Sequence, residues 1–247
     1  MKENVLGIME SSLIKTEEPR VFPLAEKRFI STCGLDLENN KKHKRMMQLG
    51  YEVREAGLAG IDIRAVVSYF GKEAFHDGVL SVGDTELTCN YMHRIPEEAV
   101  EGIYVYMLTA GECLFSSEEN IMEFLDADIW GTAYVDGGIE ALKEDYIIPD
   151  MLERFRDSGK SVFLSEEFGP GYFGMPVIET RKFEAVLDPT KIGVRVKESG
   201  LMIPQKSCTG FFLVYNRDDM SAEPACMRCT GNSKGCDFCS VRAKLEG

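Results

Sequence analysis

A chain of 247 residues with 44% hydrophobic and 28% charged side chains carries enough apolar material to bury a core, which excludes a disordered or collagen-like polymer. Its 41 Asp and Glu against 28 Lys and Arg give a formal charge of −13, which repels phosphate backbones at long range and excludes nucleic acid as an expected partner. No stretch approaches the roughly 18 consecutive apolar residues of a membrane span, and Met1-Lys2-Glu3-Asn4 does not open an export signal, so no membrane partner and a cytoplasmic location are expected.

Residues 1–40 mix short apolar runs with Pro19, Pro23 and several acids and read as an irregular N-terminal arm. Apolar residues then recur at helical spacing over 38–56 (Met46, Met47, Leu49) and 61–74 (Ile61, Ile63, Val66, Val67, Phe70), predicting two helices. The basic block Lys41-Lys42-His43-Lys44-Arg45 reads as the solvated face of the first. Residues 78–90 alternate around Gly83-Asp84, a hairpin pattern, and Ile103-Tyr104-Val105-Tyr106-Met107-Leu108 reads as a strand buried on both faces.

Ser116-Ser117-Glu118-Glu119 supplies a cap and early acids for a helix. A longer helical segment follows from about Asp128 to Arg156, weakened at Gly137-Gly138 and kinked or split at Pro149. Val162-Phe163-Leu164 is a short strand, Val177–Leu187 is helical, and Phe211-Phe212-Leu213-Val214-Tyr215 is a strong strand. Helices and strands in mixed order, without regular βαβ alternation, indicate an α+β fold with a mostly antiparallel sheet flanked by helices.

Between the last strand candidates lies Gly169-Pro170-Gly171-Tyr172-Phe173-Gly174-Met175-Pro176. Three glycines and two prolines exclude helix and regular strand and let main-chain groups approach a ligand closely. A plain turn between strand and helix explains the same composition. Proline in the turn removes an N–H that a pyrophosphate cradle would need, so this is not a dinucleotide fingerprint.

Gly169-Pro170-Gly171-Tyr172 with Pro176, then Lys191-Ile192-Gly193-Val194, Glu198-Ser199, Met202-Ile203-Pro204-Gln205-Lys206-Ser207 and Gly210, resembles the C-terminal activation domain of cobalamin-dependent methionine synthase and its free-standing bacterial relatives. The likeness spans roughly 45 residues in order and spacing, with a weaker extension over about 100–215, and leaves 1 to about 40 outside it. It implies a bent antiparallel sheet, S-adenosylmethionine bound in an extended pose at Pro170, Gly171 and Tyr172, and cobalamin carried by a partner. That partner would be a cobalamin-binding methyltransferase or other corrinoid protein, served by reductive methylation. Such chemistry needs no hydrolytic acid or base, and none of His43, His76 or His93 sits in a hydrolytic arrangement.

The family's loop carries an arginine four residues before the glycine, and this chain has Glu167 there. An arginine fork suits the ligand's carboxylate and a glutamate repels it. Either another cation takes over, with Arg181, Lys182 and Lys206 nearest in sequence, or the loop recognises something else.

Cys33, Cys89, Cys113 and Cys208 are scattered and read as packing residues. Cys226, Cys229, Cys236 and Cys239 form Cys-x2-Cys-x6-Cys-x2-Cys around Gly231 to Gly235, a pattern for one tetrahedral ion or cluster. Spacing does not separate zinc from an iron–sulfur cluster; the cluster would admit electrons from a donor protein, whereas zinc would make the tail a clip. The domain reading is therefore an arm over 1–40, an α+β domain over 41–217 and a cysteine-rich metal-binding tail over 218–247. A competing reading is a non-catalytic, zinc-stabilised module that docks on a corrinoid or other protein.

Overall fold

The computed structural model describes residues 11–89, 91–118 and 120–220. In chain order they form β1 (Ser12–Thr16), α1 (Glu18–Thr32), α2 (Lys41–Gly57), β2 (Ile61–Gly71), β3 (Phe75–His76), β4 (Val79–Val82), β5 (Thr85–Thr88), β6 (Val100–Gly111), α3 (Ile121–Leu142), α4 (Ile148–Phe155), β7 (Phe163–Leu164), α5 (Thr180–Val186), β8 (Arg195–Val196), β9 (Met202–Ile203) and β10 (Lys206–Tyr215). A five-stranded sheet in the order β1-β2-β6-β10-β7 is antiparallel throughout, which bears out the α+β reading. A small β3-β4-β5 sheet and a β8-β9 pair accompany it.

Strand alternation divides the core in two. Tyr104, Tyr106 and Leu108 of β6 join Ile63 and Ala65 of β2 and Phe212 of β10 on the face covered by α1 and α3. Their neighbours Ile103, Val105 and Met107 join Phe211 and Leu213 on the opposite face, against β4, β5 and α5. The expected double burial of the 103–108 strand is thus explained: β6 is central and has a hydrophobic layer on each side. The hairpin across Gly83-Asp84 is also present as β4 and β5.

Two expectations give way to tertiary context, and the split expected at Pro149 is borne out. Residues 61–71 form a strand, not a helix, because Ile61, Ile63, Val66 and Val67 are β-branched and the segment pairs with β1 along one edge and β6 along the other. The helix expected at Ser116 starts at Ile121, where Asn120 caps it by accepting from the N–H groups of Met122 at 3.1 Å and Glu123 at 3.4 Å. Pro149 lies in the first turn of α4, after a π-helical stretch over Lys143–Ile147 that loosens the backbone ahead of the missing N–H.

The segment read as an irregular arm is ordered from Ser12 on: β1 is the edge strand on β2, and α1 packs along α3. Phe29 stacks on Trp130 with centroids 4.2 Å apart, and Trp130 donates through Nε1 to the Gly50 carbonyl at 2.8 Å, tying α1, α2 and α3 together. Of the four scattered cysteines, Cys89 is buried and Cys33, Cys113 and Cys208 are partly buried. No helix of the described residues is long and apolar enough to cross a membrane. Because Phe29 is 2% exposed, Phe29→Ala should cost about 3–5 kcal/mol in a denaturant titration; a cost under about 1 kcal/mol would return the segment to the status of a loose arm.

Candidate functional site

The site follows from the shortness of β7. That strand pairs only with Val214 and Tyr215, so the rest of the β10 edge is left for the chain that follows. The chain takes it up at two points: Ser165 N–H donates to the Leu213 carbonyl at 2.8 Å, and beyond it Phe168 N–H donates to the Phe211 carbonyl at 2.9 Å while Phe211 N–H returns a bond to the Phe168 carbonyl at 2.8 Å. Backbones approach here because β-carbons are missing. One added at Gly210 would lie 2.5 Å from the Phe168 oxygen, and one at Gly169 would lie 2.7 Å from the Thr209 oxygen.

Past this crossing the loop turns twice. Tyr172 N–H donates to the Gly169 carbonyl at 3.0 Å, and Met175 N–H to the Tyr172 carbonyl at 2.9 Å. Phe168, Phe173 and Met175 enter the layer beneath the sheet, where Phe173 packs on Phe168 and Tyr91. Phe173 is held there at φ 53°, a costly region for an aromatic residue and a sign that its packing dictates the backbone. Tyr172, between these anchors, is 59% exposed.

Tyr172 and Glu167 stand where two lobes of one cleft meet. The first, of about 610 Å³, lies between the loop and the helices and is lined by Leu24, Lys27 and Arg28 of α1 and by Asp136 and Glu140 of α3. The second, of about 440 Å³, is lined by Pro170, Val177, Leu201, Met202 and Gln205. Asp136, Ile139, Glu167 and Tyr172 belong to both. Each lobe falls within the ordinary size of a small-molecule site.

Glu167 is only partly accessible, and its carboxyl accepts a short hydrogen bond from the Tyr106 hydroxyl. Burial, with Asp136 and Glu140 nearby, outweighs that bond and Lys143, and pushes Glu167 up to about 7. Burial first and Glu167 second push the Cys208 thiol well above its ordinary range. The floor is therefore acidic and poor in water. Arg28 pairs with Asp136 at 2.5 Å.

Of the residues singled out in the sequence, Glu167, Pro170 and Tyr172 line the cleft, and Gly171 makes the turn beneath Tyr172, donating to the Met175 carbonyl at 2.8 Å. The substitute cations do not come to it. Lys206 pairs with Asp128 at 2.6 Å, Lys182 pairs with Glu179 at 2.5 Å, and Arg181 lines neither lobe. The cations that do line it, Lys27 and Arg28, sit on α1, in the stretch read as an arm; no local motif marked them. Asp136 and Glu140 lie in the helical segment expected over 128–156, where nothing local set them apart. Cys226, Cys229, Cys236 and Cys239 lie outside the described residues, and among the described residues no His, Cys, Asp and Glu cluster could hold a metal ion.

This fold is of a known kind. The chain superposes on the crystal structure of the MetH reactivation domain bound to AdoHcy with a TM-score of 0.57 and 13% identity, over 87% of this chain and 81% of that one. No family model and no curated protein matches the sequence. The chain therefore has the fold of the methionine synthase reactivation domain.

Two outcomes test the site. A Glu167 pKa above its unfolded value means that ionising it destabilises the native state, so stability is lost as pH rises from about 4.5 to about 7 and stays low above. Glu167→Gln should flatten that part of the stability profile and stabilise the chain at pH 8 by about 1–2 kcal/mol; an unchanged profile would refute the shift. Gly210→Ala should cost about 1–3 kcal/mol by driving the loop off β10, measured by thermal unfolding.

Proposed function

We propose that this chain is an accessory protein for the reductive reactivation of a corrinoid methyltransferase such as methionine synthase, binding S-adenosylmethionine in the cleft beneath Tyr172. The observation that supports this most directly is the placement of the Gly-Pro-Gly-Tyr loop over a two-lobed cleft in a fold shared with a reactivation domain bound to AdoHcy. When bound, the sulfonium would supply an electrophilic methyl group and the partner's corrinoid a nucleophilic cobalt.

The chain's own share is positioning. Tyr172 presents an aromatic face at the mouth, where a purine or a corrin edge can lie against it. Asp136 and Glu167 offer negative charge to a sulfonium in a partly desolvated floor, where such an interaction is stronger than in water. Transfer of the methyl group leaves a neutral thioether, which this acidic floor holds less well, so product release is favoured. The cleft opens at the surface, as methylation of a cofactor carried by another protein requires.

For the tail, we propose a four-cysteine metal site at Cys226, Cys229, Cys236 and Cys239, with an iron–sulfur cluster favoured over zinc because an electron must reach the cobalt. The support is the spacing, and the reduction demanded by the chemistry. Glu167 at the family's arginine position favours a second reading, in which the cleft has lost its ligand and the chain is a docking module clipped by zinc.

Titration of the full chain with S-adenosylmethionine should give saturable heat and a thermal upshift, and Tyr172→Ala should weaken binding about tenfold. No heat and no shift at roughly millimolar ligand would overturn the donor reading. Anaerobically purified protein should be brown, absorbing at about 400 nm, and lose iron and colour in Cys229→Ser; a colourless chain holding one zinc would support the docking module instead.

A further inference from the structure

The cleft is electrically polarised along its length. The lobe on the α1 side holds Lys27 and Arg28 facing the acids Glu140, Glu144 and Glu166. The lobe on the β10 side has no basic side chain and no acid beyond the shared pair; its walls mix Val177, Leu201 and Met202 with the hydroxyl residues Thr132, Thr180 and Ser207, and the Gln205 amide lies at one edge. Between them stand Asp136 and Glu167. A cavity with one uncharged end, an acidic middle and a zwitterionic end is matched by a molecule built in the same order.

We propose that Lys27 and Arg28 of α1 receive the carboxylate of an S-adenosylmethionine-class ligand, whose nucleoside lies in the neutral lobe and whose sulfonium lies between Asp136 and Glu167. This placement rests on the ligand reading given above and deepens it. A carboxylate cannot settle beside Glu167, which occupies the place of the expected arginine and already crowds Asp136 and Glu140. The cations nearest in sequence are spent elsewhere, Lys206 on Asp128 and Lys182 on Glu179.

Among the described residues, Lys27 and Arg28 are the only basic side chains that line either lobe. Lys27 is exposed and makes no ion pair with a described residue, so it is available to a ligand. Arg28 donates through Nε to Asp136, which leaves its two Nη groups for a second acceptor in the forked geometry that suits a carboxylate. Across the lobe Glu144 pairs with Arg20 and Glu140 with Lys143, and Glu166, which makes no ion pair with a described residue, complements the ligand's ammonium. At the other end an uncharged heteroaromatic base meets uncharged walls, apolar at Val177, Leu201 and Met202 and hydrogen-bonding at Thr132, Thr180, Ser207 and Gln205, with the Tyr172 ring at the rim. The swap of arginine for Glu167 and the cations on α1 are thus two halves of one arrangement.

Three probes dissect the ligand: S-adenosylmethionine, S-adenosylhomocysteine, which keeps the carboxylate, and 5′-methylthioadenosine, which lacks the whole amino-acid end. In calorimetry of the full chain, the double variant Lys27→Gln with Arg28→Gln should bind the first two about tenfold more weakly and the third within about twofold of wild type. Arg181→Gln with Lys182→Gln should change none of them. Should the double variant bind all three probes poorly, Lys27→Gln alone decides, since that side chain has no described ion pair to break; a several-fold loss confined to the two carboxylate ligands is expected. Equal binding of all three probes by the Lys27→Gln and double variants, or an equal loss of all three in Lys27→Gln, overturns the placement and leaves the ligand reading standing. A wild-type chain that binds none of the three overturns the ligand reading, and this placement with it.

Discussion

Two peptide groups in contact without side chains between them set the rest of the site. At Phe168 and Phe211 the loop and β10 exchange a pair of hydrogen bonds, and Gly169 and Gly210 remove the β-carbons that would hold the strands apart. Everything on either side takes its position from this crossing. On one side Glu167 is pressed toward Tyr106 and loses water, and on the other Phe173 and Met175 fix the return of the loop so that Tyr172 is left over the cleft. The strained φ of Phe173 is the local cost, offset by an aromatic cluster of Phe168, Phe173 and Tyr91.

The sheet makes this crossing possible by being asymmetric. β6 and β10 pair over nearly their whole lengths, with a bulge at each end of the ladder, while β7 covers only the last two residues of β10. An uncovered edge invites pairing with another chain, and a loop laid across it with a single bridge removes that hazard while leaving room for a cavity. The helices complete the cavity's wall. α1 and α3 lie on the same face of the sheet, and their facing residues, Arg28 and Asp136, meet across the cleft rather than within the core.

The electrostatics follow from where these acids sit. A chain of net charge −13 has acids to spare on its surface, and most of them need no explanation. Glu167 differs because desolvation acts on it together with Asp136 and Glu140, so its ionised form is disfavoured unless a positive group arrives. An acidic floor selects for cations, and a sulfonium is one.

How much of this was written in the sequence differs from part to part. Local periodicity marked the β4-β5 hairpin, the doubly buried β6, the strand at Phe211–Tyr215 and the helix over 41–57, because each satisfies its own pattern without help from distant partners. The Gly-Pro loop and Glu167 within it were also visible, since backbone freedom and charge are properties of residues. Tertiary structure alone decided the rest. Ile61–Gly71 became a strand because β1 and β6 were there to pair with it, and residues 12–32 became a strand and helix because Trp130 and α3 offered them an apolar surface. The cations of the cleft could not be found from the motif, since Lys27 and Arg28 lie some 140 residues from Glu167 in the chain and are brought to it only by the packing of α1 on α3.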